Sequence, residues 1–69
     1  MTTLQLRDEF IKLGQALKAA GLVSSGLDAK IVIQNGMVKV NGETETQRGK
    51  KLYDGFIVEF EGKQFKIVK

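Results

Sequence analysis

The stretch that decides the fold is Ser25-Gly26-Leu27-Asp28-Ala29-Lys30-Ile31-Val32-Ile33-Gln34-Asn35-Gly36-Met37-Val38-Lys39-Val40-Asn41-Gly42. Ser25 is a good helix N-cap. Asp28, three residues on, gives a short-armed capping box and favours the positive end of the helix dipole. Leu27/Ile31 and Ala29/Ile33 are i, i+4 pairs that form a wide apolar stripe with Val32, while Gly26, Lys30 and Gln34 step along the opposite edge. Gly36 stops the helix. Met37 to Val40 then alternates, with Val38 and Val40 inward and Lys39 outward. Asn41-Gly42 is a strong hairpin signal and favours a type I′ turn.

On the N-terminal side, Leu13 to Ala20 reads as a first helix with Leu13, Leu17 and Ala20 on its buried stripe and Gly21 as its C′ residue. Phe10 and Ile11 feed the core just before it. Residues 3–7 alternate and predict a short edge strand. On the C-terminal side, residues 43–46 return from the hairpin, and Gln47-Arg48-Gly49-Lys50-Lys51 is a basic loop. Phe56 to Phe60 and Gln64 to Val68 predict two more strands, with turns at Asp54-Gly55 and Glu61-Gly62. Phe56, Val58 and Phe60 share one face of the first, and Phe65 and Ile67 one face of the second. Helices first, then hairpin-linked strands, imply an α+β fold in which two N-terminal helices pack on a small antiparallel sheet of about four to five strands.

The 69 residues make one domain, 1–69. A chain of this size buries only about 60% of its unfolded surface. With no Cys and no His it has neither a disulfide nor a common zinc site to reinforce it, so packing must suffice. The N-terminus has no charged region followed by an apolar run, and no stretch approaches the length of a membrane span. A cytoplasmic, monomeric chain with no membrane association is the expectation.

Without His or Cys the commonest acid–base and thiol chemistries are closed to it. The carboxylates fall at caps, at turns or along strand faces, and Gly36, Gly42, Gly49, Gly55 and Gly62 each have a turn or stop to explain them. No loop has the alternating acidic ligands of a calcium site, and no glycine-rich phosphate loop is present. No catalysis, metal or cofactor is expected. The net charge of +3 matters less than its placement. Arg48-Gly49-Lys50-Lys51 puts three cations in four residues, a repulsion that a polyanion relieves. Phe10, Phe56, Phe60 and Phe65 read as core, and Tyr53, beside the basic loop, reads as packing, with a stacking contact as the alternative.

Written as Ser-x-x-x-Ala-x-x-x-Ile-x-x-Gly-x-Val-x-Val-Asn-Gly, the deciding stretch resembles the signature of the S4-type RNA-binding domain. It matches at Ser25, Ala29, Ile33, Gly36, Val38, Val40, Asn41 and Gly42, with Leu13, Leu17 and Gly21 fitting the preceding helix. Leu13 to Lys18 and Arg48 to Gly55 resemble the small stand-alone bacterial S4-like proteins. The resemblance implies an αL motif, two helices and a hairpin that meet structured RNA (rRNA or tRNA), with ribosomal proteins as further partners. Mapped here, the surface contains Lys18, Ser25, Gly26, Lys30, Gln34, Lys39, Asn41, Arg48, Lys50 and Lys51. Many family members carry Arg where this chain has Gly26, and basic residues where it has Ile31, Gln34 and Met37, which shifts the charge toward the loop. A protein–protein adaptor docking through a sheet edge, at residues 3–7 or the last strand, is the alternative.

Overall fold

A computed structural model describes residues 1–69. The alternating N-terminal residues form β1 (Thr2–Gln5), and a two-residue strand, β2 (Ile11–Lys12), runs directly into α1 (Leu13–Ala19). A short connection leads to α2 (Gly26–Gln34), and the chain then passes through β3 (Val38–Val40), β4 (Glu43–Thr44), β5 (Lys51–Leu52), β6 (Ile57–Phe60) and β7 (Lys63–Val68). The expected turn chemistry is present. Asn41 and Gly42 have φ of 52° and 84°, the left-handed pair a type I′ hairpin requires, and Glu61 and Gly62 repeat it at 53° and 76°. Ser25 caps α2, its Oγ accepting from the Asp28 N–H at 3.1 Å. The reciprocal half of the capping box is absent, because the Asp28 carboxylate accepts from Ser24 Oγ at 2.8 Å instead.

The main sheet has the order β1-β7-β6-β3-β4. Three of its pairings are antiparallel, but β1 runs parallel to β7, with Leu4 opposite Ile67, so the sheet is mixed rather than wholly antiparallel. The cause is connectivity: β1 and β7 are joined by nearly the whole chain, which frees them from the constraint of a hairpin. The last strand therefore offers no edge, being paired on both sides, and β1 and β4 are the edges. A second, two-stranded sheet pairs β2 with β5 antiparallel, Ile11 opposite Leu52 and Lys12 opposite Lys51.

One core cluster joins the layers: Leu13, Ala16 and Leu17 from α1, Ala29 and Ile33 from α2, Val38, Val40, Val58, Phe60, Phe65 and Ile67 from the main sheet, and Leu52 from β5, with Leu6 at its margin. The apolar stripe of α2 is narrower than its sequence implies. Leu27 is 65% exposed and Ile31 48%. At 100° per residue, Ile31 lies about 200° around the helix from Ala29, so the two i, i+4 pairs occupy nearly opposite faces and only one can meet the core. Phe60 and Phe65 are core as expected, whereas Phe56 is half-buried at its edge and Phe10, also half-buried, meets Tyr53 and Lys51 instead. Tyr53, expected to pack, is 43% exposed.

Candidate nucleic-acid interface

The site is built where the basic loop meets the start of α1. No side chain caps α1; its first donors are satisfied by the loop, the Leu13 N–H donating to the Lys50 carbonyl (2.8 Å) and the Gly14 N–H to the Arg48 carbonyl (3.0 Å). With the β2–β5 pairing, these bonds pin residues 48–52 against the helix. Gly14 allows the closeness. A Cβ there would lie 2.7 Å from Arg48 Cγ and 3.3 Å from Cδ, so the arginine stem crosses the helix where any other residue would obstruct it.

The result is an open cleft lined by Lys12, Gly14, Gln15, Lys18, Gly26, Arg48 and Gly49, with no apolar side chain. Three of the expected residues, Lys18, Gly26 and Arg48, are brought together here. Lys30 and Gln34, both exposed, lie one and two turns beyond Gly26 on the same edge of α2 and continue the polar surface. Ser25 borders it as the N-cap, its hydroxyl already engaged. Lys51 faces Lys12 across β2–β5, and its Nζ lies 4.8 Å from the centroid of the Phe10 ring.

The remaining expected residues lie apart from the cleft. Lys39 points away from the core that Val38 and Val40 enter, and sits opposite Glu59 and Thr44 on the outer sheet face. Asn41 is committed to the hairpin, since its Oδ1 accepts from the Ile57 N–H at 2.9 Å and its own N–H donates to the Ile57 carbonyl at 2.8 Å. Lys50 lines a separate depression with Asn41, Glu43 and Glu45, away from the cleft. The cations of the loop thus diverge, and only Arg48 and Lys51 join the positive surface.

Lys12 is the member that sequence reading missed. It sits alone in sequence before an apolar residue, and only the β2–β5 pairing brings it to the loop. The chain's one ion pair is Lys69 to Glu9 at 3.3 Å, so Lys12, Lys18, Lys30, Arg48, Lys50 and Lys51 have no carboxylate partner. No group of three or more His, Cys, Asp or Glu residues is placed to hold a metal, and no helix is long and apolar enough to cross a membrane. What the arrangement can do is hold an anion, with Lys12, Lys18 and Arg48 around one polar cleft that Gly26 at the start of α2 also lines.

Comparison with known proteins places the chain in a family. The profile of the S4 domain family matches residues 4–68. The Bacillus subtilis protein RlbA, named as a probable ribosome maturation protein, is 44% identical over 59 residues, 86% of this chain and 83% of its own length. Escherichia coli YbcJ is 38% identical over 69 residues, 99% of both chains. Its solution structure, which revealed an αL motif involved in RNA binding, superposes with a TM-score of 0.77 over 100% of this chain and 89% of that one. The ribosomal protein S4e of Thermoplasma acidophilum shares the fold, with a TM-score of 0.66 at 20% identity over 87% of this chain and 32% of its own. A family profile spanning nearly every residue and two relatives matched along most of their length leave one assignment: the chain belongs to the S4 domain family.

Proposed function

We propose that this protein binds structured RNA without catalysis, through the Lys12–Lys18–Arg48 cleft and the exposed edge of α2, and that ribosomal RNA is its partner in a cytoplasmic, ribosome-associated role. The observation that carries the reading is the convergence of unpaired cations on a cleft free of apolar side chains. RNA helices are met largely by shape and phosphate contacts, which need positioned charge more than base-reading groups. The names of the relatives point the same way: RlbA to ribosome maturation, YbcJ to RNA binding.

The test is a titration of labelled ribosomal RNA fragments at increasing salt. With about four to six phosphate contacts, log affinity falls against log salt with a slope of roughly −3 to −5. Crosslinking in cells followed by sequencing of the attached RNA identifies the fragment. A flat salt dependence, with no enrichment of any ribosomal RNA region, refutes the proposal and favours the adaptor reading, for which the β1 edge is the available strand.

A further inference from the structure

Tyr53 is the one large aromatic side chain that the fold leaves substantially open, at 43% exposure. Its surroundings hold it in place without covering it. The Phe10 ring lies 6.0 Å away at 53° and the Phe56 ring 5.8 Å away at 68°, so both neighbours meet it tilted or edge-on and neither stacks parallel to it. Its hydroxyl has no hydrogen-bond partner within the protein.

The aromatic group adjoins the cationic surface. Lys51 Nζ stands over Phe10 at 4.8 Å, and Lys51 faces Lys12 across the small sheet. The carboxylates next in sequence to the two rings, Asp54 and Glu9, each have a partner. Asp54 Oδ1 accepts from the Lys69 N–H at 2.8 Å, and Glu9 pairs with Lys69 Nζ. A ring held at its edges beside unpaired cations is the combination that stacks a base while the cations hold its phosphate.

We propose that Tyr53 stacks an unpaired nucleobase, one bulged from or flanking the helix whose backbone the cleft holds, with Lys12 and Lys51 taking the adjoining phosphate. This rests on the RNA-binding reading and narrows it, because a perfect duplex has no base to offer the ring.

The chain supplies its own reporter, having one Tyr and no Trp. The experiment titrates the full chain with a perfect RNA hairpin and with the same hairpin carrying one unpaired nucleotide, each base in turn, following Tyr53 emission corrected for RNA absorbance. The expected result is quenching with the bulged hairpins and affinity for them about 5- to 30-fold higher than for the perfect one. Tyr53→Phe keeps the preference. Tyr53→Leu, which retains apolar cover over Phe10 and Phe56, loses it while affinity for the perfect hairpin and the melting temperature hold. Equal affinity for both RNAs, unquenched emission at saturation, or a Tyr53→Leu variant weakened equally toward both overturns the stacking proposal and leaves RNA binding standing. Absence of salt-dependent binding to either RNA overturns both.

Discussion

Gly14→Ala isolates the part that the cleft plays. The added Cβ falls 2.7 Å from Arg48 Cγ and 3.3 Å from Cδ, while the Arg48 carbonyl stays at an ordinary 3.6 Å. Carbon atoms pack at about 3.5–4.0 Å, so the arginine stem must retreat by about 1 Å and the backbone need not move. Arg48 is exposed and can swing outward, and the Gly14 N–H keeps its bond to the Arg48 carbonyl. Alanine in place of glycine in a helix gains about 0.5–1 kcal/mol. Driving Arg48 off its rotamer costs about 0.5–1.5 kcal/mol. These terms nearly cancel, so stability changes by less than about 1 kcal/mol. Binding does not share that cancellation. A guanidinium–phosphate contact contributes about 1.5–3 kcal/mol, and at this exposed site the lower end applies, about a tenfold loss of affinity.

The assay pairs urea melts with anisotropy titrations of a labelled ribosomal RNA fragment for Gly14→Ala, Arg48→Ala and the double variant. Because Gly14→Ala acts through Arg48, the double variant binds no more weakly than Arg48→Ala alone. Additive losses in the double variant, or a stability loss above about 2 kcal/mol in Gly14→Ala, refute the reasoning, since either shows that the glycine supports the backbone rather than the arginine.

Gly26→Arg meets open space, with nothing within 4 Å of the added Cβ, and adds a cation to the cleft rim; affinity rises and the salt slope steepens by about 0.7–0.9, whereas a loss of affinity shows RNA backbone lying against Gly26. Arg48→Glu weakens RNA binding far more than Lys50→Glu, because Lys50 lines a separate depression with Glu43 and Glu45, away from the cleft; equal effects in the same titration contradict the division of the loop. Asn41→Ala loses the bond to Ile57 and places alanine at φ 52°, costing about 2 kcal/mol in urea melts, with Asn41→Gly recovering the backbone part; a cost below about 0.5 kcal/mol contradicts the hairpin role.

What was legible in the sequence was local. Ser25, Gly36 and Asn41-Gly42 act within a few residues of themselves, and the cap, stop and turn are where their chemistry places them. The parallel β1–β7 pairing and the two-residue β2–β5 sheet are contacts across many residues with no periodicity to announce them. Lys12 was lost to the reading for that reason. Lys39 is a different case. The alternation that sent Val38 and Val40 inward already sent Lys39 to the far face, so its grouping with the helix residues came from the family resemblance and not from the strand. Leu27 and Ile31 show how a helix with two apolar faces hides which one is buried until its partners are known.

The placement of charge runs against what stability alone favours. Cations near a helix N-terminus are unfavourable by about 0.3–1 kcal/mol, yet Lys12 stands at the N-cap of α1, which has no acidic residue in its first turn, and Arg48 lies across that turn. Lys12 and Lys51 face each other directly across β2–β5, where like charges repel. Eight carboxylates are available in the chain, yet only one forms an ion pair, and it does so with Lys69, away from the cleft. A domain with a 13-residue core has little stability to spare. Each of these features weakens the free protein slightly, and each is relieved by the same event, the arrival of an anion in the cleft. On the proposed function, phosphate binding gives these placements one shared explanation, which folding alone does not.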